Sequence, residues 1–303
     1  KRTGKKCYTL PCDKNLVYYM KDGLPALLHR KLPIKNIVGE LLGFLRGYTN
    51  AEDFRKLGCN FWDANANQTE SWLNNFYREG VDDLGNIYGK QWGSWKTYRV
   101  SESKKENEHL LNNGWKQVIA CKYHPYVYSK EIDQISEALN KIANDPTDRR
   151  IIISGWNVGE LDRMCLPPCH VDYRFTPNPV NKTLNLHVTI RSWDIFLGGP
   201  ANILESALML EMSSKLTGYT ANKLVIQPTN VHIYEDHLEQ VKELISRDVS
   251  HLPKPTLKLV GSLFGLTYKQ FGSPFKPVNF IEPSNIVIEN YNPLSPIKAP
   301  MAV

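Results

Sequence analysis

The stretch Thr183-Leu184-Asn185-Leu186-His187-Val188-Thr189-Ile190 alternates polar and apolar residues without a break, and this period of two constrains the fold more than any other feature. Successive side chains of a strand point to opposite faces, so Leu184, Leu186, Val188 and Ile190 share one buried face. A half-buried strand needs neighbours in a sheet and a layer that covers its apolar side. Helical spacing of apolar residues over about 36–47, 202–216 and 235–247 supplies that layer, and a further helix is predicted from Glu131 to Ala143, ended by Asn144-Asp145-Pro146. Arg149 to Trp156 reads as a buried strand. These elements predict one α+β domain over residues 1–303, with a mostly antiparallel or mixed sheet flanked by helices. The polar run from about 96 to 130 reads as a surface insertion in that domain.

With 42% hydrophobic and 22% charged residues among 303, the chain falls outside the disordered and fibrous classes. No apolar stretch approaches the ~18 residues of a membrane span, and the start Lys1-Arg2-Thr3-Gly4 lacks the apolar run of a signal peptide. A cytoplasmic protein without membrane contact is expected. The formal net charge of +6 is spread along the chain, which argues against nucleic acid and favours small anions, phosphates above all. Six cysteines without a paired C-x-x-C framework give no reason to expect disulfides or a metal.

Leu166-Pro167-Pro168-Cys169-His170 sets a thiol beside an imidazole after a stiff Pro-Pro step. A thiolate is the attacking form of cysteine, and its free pKa of ~8.5 must be lowered by cations such as Arg149, Arg150 or Arg191. An inert core cysteine is the competing reading. Glu40 lies inside the apolar run of the first helix, either on its polar face or as a working carboxyl.

Taken in order, the motifs resemble thymidylate synthase and its relatives, the pyrimidine nucleotide hydroxymethylases, over nearly the whole chain. The matching strings are Glu40-Leu41-Leu42, Trp62-Asp63-Ala64-Asn65, Asp83-Leu84-Gly85 with Tyr88-Gly89-Lys90-Gln91-Trp92, and Arg149-Arg150-Ile151-Ile152. They continue through Leu166 to His170, Arg191-Ser192-Trp193-Asp194, Asn202-Ile203, His232-Ile233-Tyr234 and the tail Ile297 to Val303.

The resemblance implies a homodimer packed sheet to sheet and a reaction between a pyrimidine deoxynucleotide, dUMP, and 5,10-methylenetetrahydrofolate as co-substrate. It implies Cys169 as the nucleophile that adds to C6 of the base, so that C5 becomes an enolate carbon able to attack the one-carbon unit. Arg191 would activate the thiol and touch the nucleotide phosphate, together with Arg2, Ser192, and Arg149 and Arg150 from a partner subunit. Glu40 matches the general acid/base, Tyr88 the residue that supports proton abstraction, and Asp194 the pterin ligand. His232 and Tyr234 match the pair that binds the sugar hydroxyl, and Asn202 the residue that reads uracil. Trp62, Leu197, Gly198, Ala201 and Val303 would line the folate.

Several positions depart from the family pattern. Ile190 stands for a glutamine, Ala201 for a phenylalanine, Ser206 for a tyrosine, Gly43 for a tryptophan and Gly93 for an arginine. A roomier, wetter pocket is expected from these changes, and water adding to the exocyclic methylene intermediate would give 5-hydroxymethyl-dUMP. That favours a deoxyuridylate hydroxymethylase, a type of enzyme associated with phages that carry modified pyrimidines. Thymidylate synthase making dTMP and dihydrofolate is the alternative, with a dCMP hydroxymethylase and a non-catalytic nucleotide- or RNA-binding relative behind it. A cysteine hydrolase is disfavoured because neighbours on a strand, Cys169 and His170, face opposite ways.

Overall fold

The computed structural model describes residues 4–119, 126–271 and 276–300. Its centre is a five-stranded mixed sheet in the order Leu16–Tyr19, Thr220–Pro228, Thr183–Ile190, His170–Asn178, Ile152–Ser154. Thr183–Ile190 occupies the middle, antiparallel to His170–Asn178 and parallel to Thr220–Pro228. The alternation read from its sequence is realised: Leu184, Leu186, Val188 and Ile190 are fully buried. At about 1.5–3 kcal/mol for each large apolar side chain taken out of water, this one strand contributes several kcal/mol to the core.

The covering layer is the helix Gly198–Thr217, which is apolar nearly all round and accordingly buried over most of its length. Ile34–Leu45 and Gln134–Asn144 pack beside it, and Gly218 ends the long helix in the left-handed conformation that glycine adopts without steric cost. The helix expected from Glu131 starts later. Residues up to Ile132 belong to the strand Tyr126–Ile132, and Asp133 caps the helix by accepting from the Ser136 amide at 3.0 Å.

Arg149 to Trp156 is a buried strand only in part. Pairing is confined to Ile152–Ser154 at the sheet's edge, Ile152 is 45% exposed, and Arg149 and Arg150 stand in the preceding loop. An edge position leaves one side of a strand without a neighbour, so the apolar run Ile151-Ile152-Ile153 does not mean full burial. Trp95–Ser101, Tyr126–Ile132 and Lys116–Ile119 build a separate antiparallel sheet, with the helix Lys104–Asn112 between Trp95–Ser101 and Lys116–Ile119 in chain order.

A second three-stranded sheet joins Cys7–Pro11, Asn230–Tyr234 and Trp193–Asp194. It sets His232 directly opposite Asp194. Among the described residues, no helix covers the far face of the central sheet. There Arg174 donates to Thr189 Oγ1 at 2.7 Å and pairs with Asp172 at 3.0 Å, while Val17 and Tyr19 are 46% and 44% exposed.

Candidate active site

Cys169 sits where the chain enters the strand His170–Asn178, and pairing with Thr183–Ile190 slips between His170 and Asp172. Bulges of this kind re-aim side chains and recur beside active sites. The Cys169 amide donates to the Tyr88 hydroxyl at 2.6 Å, and its carbonyl accepts from the Arg191 amide at 2.9 Å. The Arg191 guanidinium stacks 5.0 Å over Trp156 and donates to the carbonyls of Pro168 and Pro167 at 2.8 and 2.9 Å. Two of its five N–H groups thus hold the Pro-Pro loop, and among the described residues the other three are uncommitted. Cys169 and Arg191, distant in the chain, are thus joined through the backbone and the loop that precedes the thiol.

His170 is 3% exposed, and burial lowers its pKa to about 4. A neutral imidazole turned into the core, with Nε2 lacking a hydrogen bond among the described residues, cannot serve Cys169 as a base.

Glu40 does not lie on a polar helix face. Its Oε1 accepts from the Trp62 indole N–H at 2.9 Å, and desolvation raises its pKa to about 7 against the single opposing effect of that hydrogen bond. A carboxyl half-protonated near neutrality can both give and take a proton. The pocket around it is aromatic: Phe44 stacks on Tyr88 at 4.7 Å, and Trp62 meets Phe44 and Tyr88 edge-on at 5.8 and 6.0 Å. Burial, and secondarily Cys169, push the Tyr88 hydroxyl well above its ordinary range, so it stays protonated.

Asn202, in the first turn of Gly198–Thr217, accepts at Oδ1 from the Trp193 indole N–H at 3.2 Å. Asp194 Oδ1 accepts from the amides of Phe196 and Leu197 at 3.1 and 3.2 Å, which shapes the turn into Gly198 and, among the described residues, leaves the other carboxylate oxygen for a further donor. His232 and Tyr234 pack edge to face at 5.4 Å on the strand beside Asp194. The tail reaches this region too, since His237 Nε2–H donates to the Pro300 carbonyl at 2.8 Å and Ile297 is buried. Ser192 lies partly buried between Arg191 and Trp193.

Two expected groups stand apart. Arg149 and Arg150 are exposed, Arg150 pairs with Asp148 at 3.0 Å, and among the described residues neither bonds to the Cys169 loop. Arg2 and Val303 lie outside the described residues. Among the described residues, no group of three or more His, Cys, Asp or Glu is placed to hold a metal ion, and no helix is long and apolar enough to cross a membrane.

At Gly43 the departure does not open the site as the sequence suggested. A Cβ on Gly43 would sit 2.3 Å from the Phe54 ring, so Phe54, itself fully buried, fills the space that a tryptophan would take. Ile190 and Ser206 are fully buried and Ala201 is 8% exposed. Only Gly93 faces open space.

Sequence reasoning missed Glu205. It is 1% exposed in the middle of the long helix, and its Oε1 has no hydrogen bond among the described residues. Burial, and then the charge of Glu40, hold its pKa well above the carboxylate range. The signal was available: Leu204-Glu205-Ser206-Ala207-Leu208 places a carboxyl in an apolar helix, as at Glu40.

A family model described as thymidylate synthase matches residues 1–303. The thymidylate synthase of Pseudomonas syringae pv. tomato is 40% identical over 309 residues, covering 100% of this chain and 94% of that protein. That of Pseudomonas putida is 39% identical over 309 residues with the same coverage. The thymidylate synthase of Bordetella parapertussis is 38% identical over 311 residues, again with 100% and 94% covered. These relatives are bacterial and lend no support to a phage source.

Proposed function

The chain belongs to the thymidylate synthase family of one-carbon transferases, which draw on methylenetetrahydrofolate, and from that premise we propose that it converts dUMP to thymidylate. The observation that carries this reading, against the hydroxymethyl product expected from the sequence, is the aromatic wall packed beside Glu40. Phe54 occupies the room beside Gly43, and Trp62 is 5% exposed with its N–H committed to Glu40. A wall that keeps water off the exocyclic methylene favours hydride delivery over hydration. The name shared by the full-length relatives points the same way.

In this reading Cys169 Sγ adds to C6 of the base, with the Arg191 guanidinium stabilising the thiolate and its free N–H groups meeting the phosphate. The folate supplies the one-carbon unit and the hydride. Asn202 reads the base, and His232 and Tyr234 hold the sugar. Glu40 moves protons at the carbonyl side of the base, Tyr88 positions the Cys169 backbone while supporting removal of the C5 proton, and Asp194 offers its free oxygen to the pterin. Loss of the C5 proton and, at the end, of Sγ from C6 restores the aromatic base.

The subunits would pair through the uncovered face of the central sheet, where half-exposed Val17, Tyr19 and Ile152 flank the Arg174–Asp172 pair. Arg149 and Arg150, unengaged by their own Cys169 loop, would then reach the partner's phosphate.

A specific observation favours a second reading. Glu205 Oε1, His170 Nε2 and Trp92 Nε1 are buried without hydrogen-bond partners among the described residues, and water could satisfy them near Glu40. Such a water would serve a hydroxymethylase. Mass analysis of the product from enzyme, dUMP and methylenetetrahydrofolate decides: a gain of about 14 mass units is a methyl group and supports the proposal, and about 30 is hydroxymethyl and overturns it.

A further inference from the structure

Base choice depends on which way the Asn202 amide points, because turning an amide by half a circle exchanges its acceptor for its donors. A neighbour that fixes one orientation therefore fixes the base. Trp193 has the geometry to do so. It is 2% exposed, and its Nε1–H donates to Asn202 Oδ1 at 3.2 Å. Gly199 lies beside its ring, where an added Cβ would come to ordinary contact distance, 3.4 Å, from Cε2 and Cζ2. The Asn202 main chain is held in the helix, its backbone carbonyl accepting from Ser206 Oγ at 2.7 Å, so the amide's own orientation is left to the Trp193 contact. An indole donates and never accepts, so this contact admits the amide oxygen and rejects the amide NH2.

We propose that Trp193 is a specificity-determining positioning residue, which pins Asn202 in the orientation that reads uracil and rejects cytosine. The proposal rests on the reading of Asn202 as the base-contacting residue. Oδ1 keeps a second lone pair for the uracil N3–H while Nδ2 donates to O4. Cytosine presents the reverse pattern, an acceptor at N3 and a donor at N4. To receive it, the amide must turn its NH2 against the Trp193 N–H, which leaves a buried donor unpaired. That penalty weakens binding on the order of ten- to a hundredfold.

The test uses Trp193→Phe, which keeps a ring and deletes the N–H, with dissociation constants for dUMP and dCMP measured by calorimetry on the full-length protein. The ratio of the dCMP to the dUMP constant is expected to fall at least about tenfold. A Trp193 that only fills space would weaken both nucleotides alike, and an unchanged ratio overturns the proposal. Asn202→Asp separates the two levels of the argument. If it leaves the ratio unchanged, the reading of Asn202 fails; if it shifts preference toward dCMP while Trp193→Phe does not, the pin alone fails. Should Trp193→Phe not fold, hydrogen exchange of the Trp193 indole proton by NMR replaces it. Slow exchange in the parent that quickens in Asn202→Ala supports the pin, and equal rates overturn it.

Discussion

Glu40 ties stability to pH in a way that its substitution by glutamine should expose. In the folded chain its pKa stands at about 7, raised by burial from an ordinary 4.5. Below pH 4.5 both folded and unfolded chains carry the proton, and Glu40 costs nothing. As pH rises from 4.5 to about 7 the unfolded chain releases the proton while the folded chain keeps it, so stability falls by about 1.4 kcal/mol for each pH unit. Above pH 7 the folded carboxyl ionises too, and the loss levels off at about 3 kcal/mol. Glutamine keeps the shape and an acceptor for the Trp62 N–H without the titration. Glu40→Gln should therefore match the parent in urea unfolding at pH 4.5 and exceed it by about 3 kcal/mol at pH 8, at equal protein concentration and unchanged urea slope. Turnover should be lost in the same variant, stability traded for activity. Parallel pH profiles of unfolding free energy in parent and variant would refute the argument, because the folded carboxyl would then titrate as it does in water.

Gly43→Ala drives a methyl to 2.3 Å from the buried Phe54 ring, so it should destabilise by about 1–3 kcal/mol in thermal or urea unfolding. Combined with Phe54→Ala, the two changes should cost less than the sum of their separate costs, a coupling that empty space at Gly43 does not account for. Trp62→Phe deletes the N–H that lowers the Glu40 pKa, so the inflection near neutral pH in the kcat profile should move up while KM for the nucleotide stays near the parent value. Mixing an Arg150→Ala variant with a Cys169→Ala variant, each inactive alone, should restore activity through hybrid dimers with one intact site; no recovery would mean that Arg150 serves its own subunit.

The parts of the molecule legible in the sequence are those whose cause is local. Period-two alternation placed the central strand, and helical spacing placed the long helix, because burial of one face is written into consecutive residues. The edge strand misled because a short apolar run reports burial but not whether a neighbouring strand exists, so Arg149 and Arg150 read as strand residues and stand in a loop. The Cys169 loop was legible through motif order, yet what holds it was not. The Arg191 bonds to two proline carbonyls cross 23 and 24 positions of chain, and no local pattern encodes them.

Gly43 shows the harder case. A missing tryptophan reads, one position at a time, as a hole. A core packed to crystal-like density does not keep a hole of that size when a neighbour can fill it, and Phe54, eleven residues on, does so. Pocket volume is thus a property of pairs of positions brought together by the fold, and a substitution that shrinks one side chain predicts a roomier site only after its neighbours are known. The same holds for Asn202, whose preference depends on an indole nine residues away that sequence comparison by type alone would pass over. Where a side chain's role is set by the donor it faces, residue identity states what it could recognise, and the contact decides what it does.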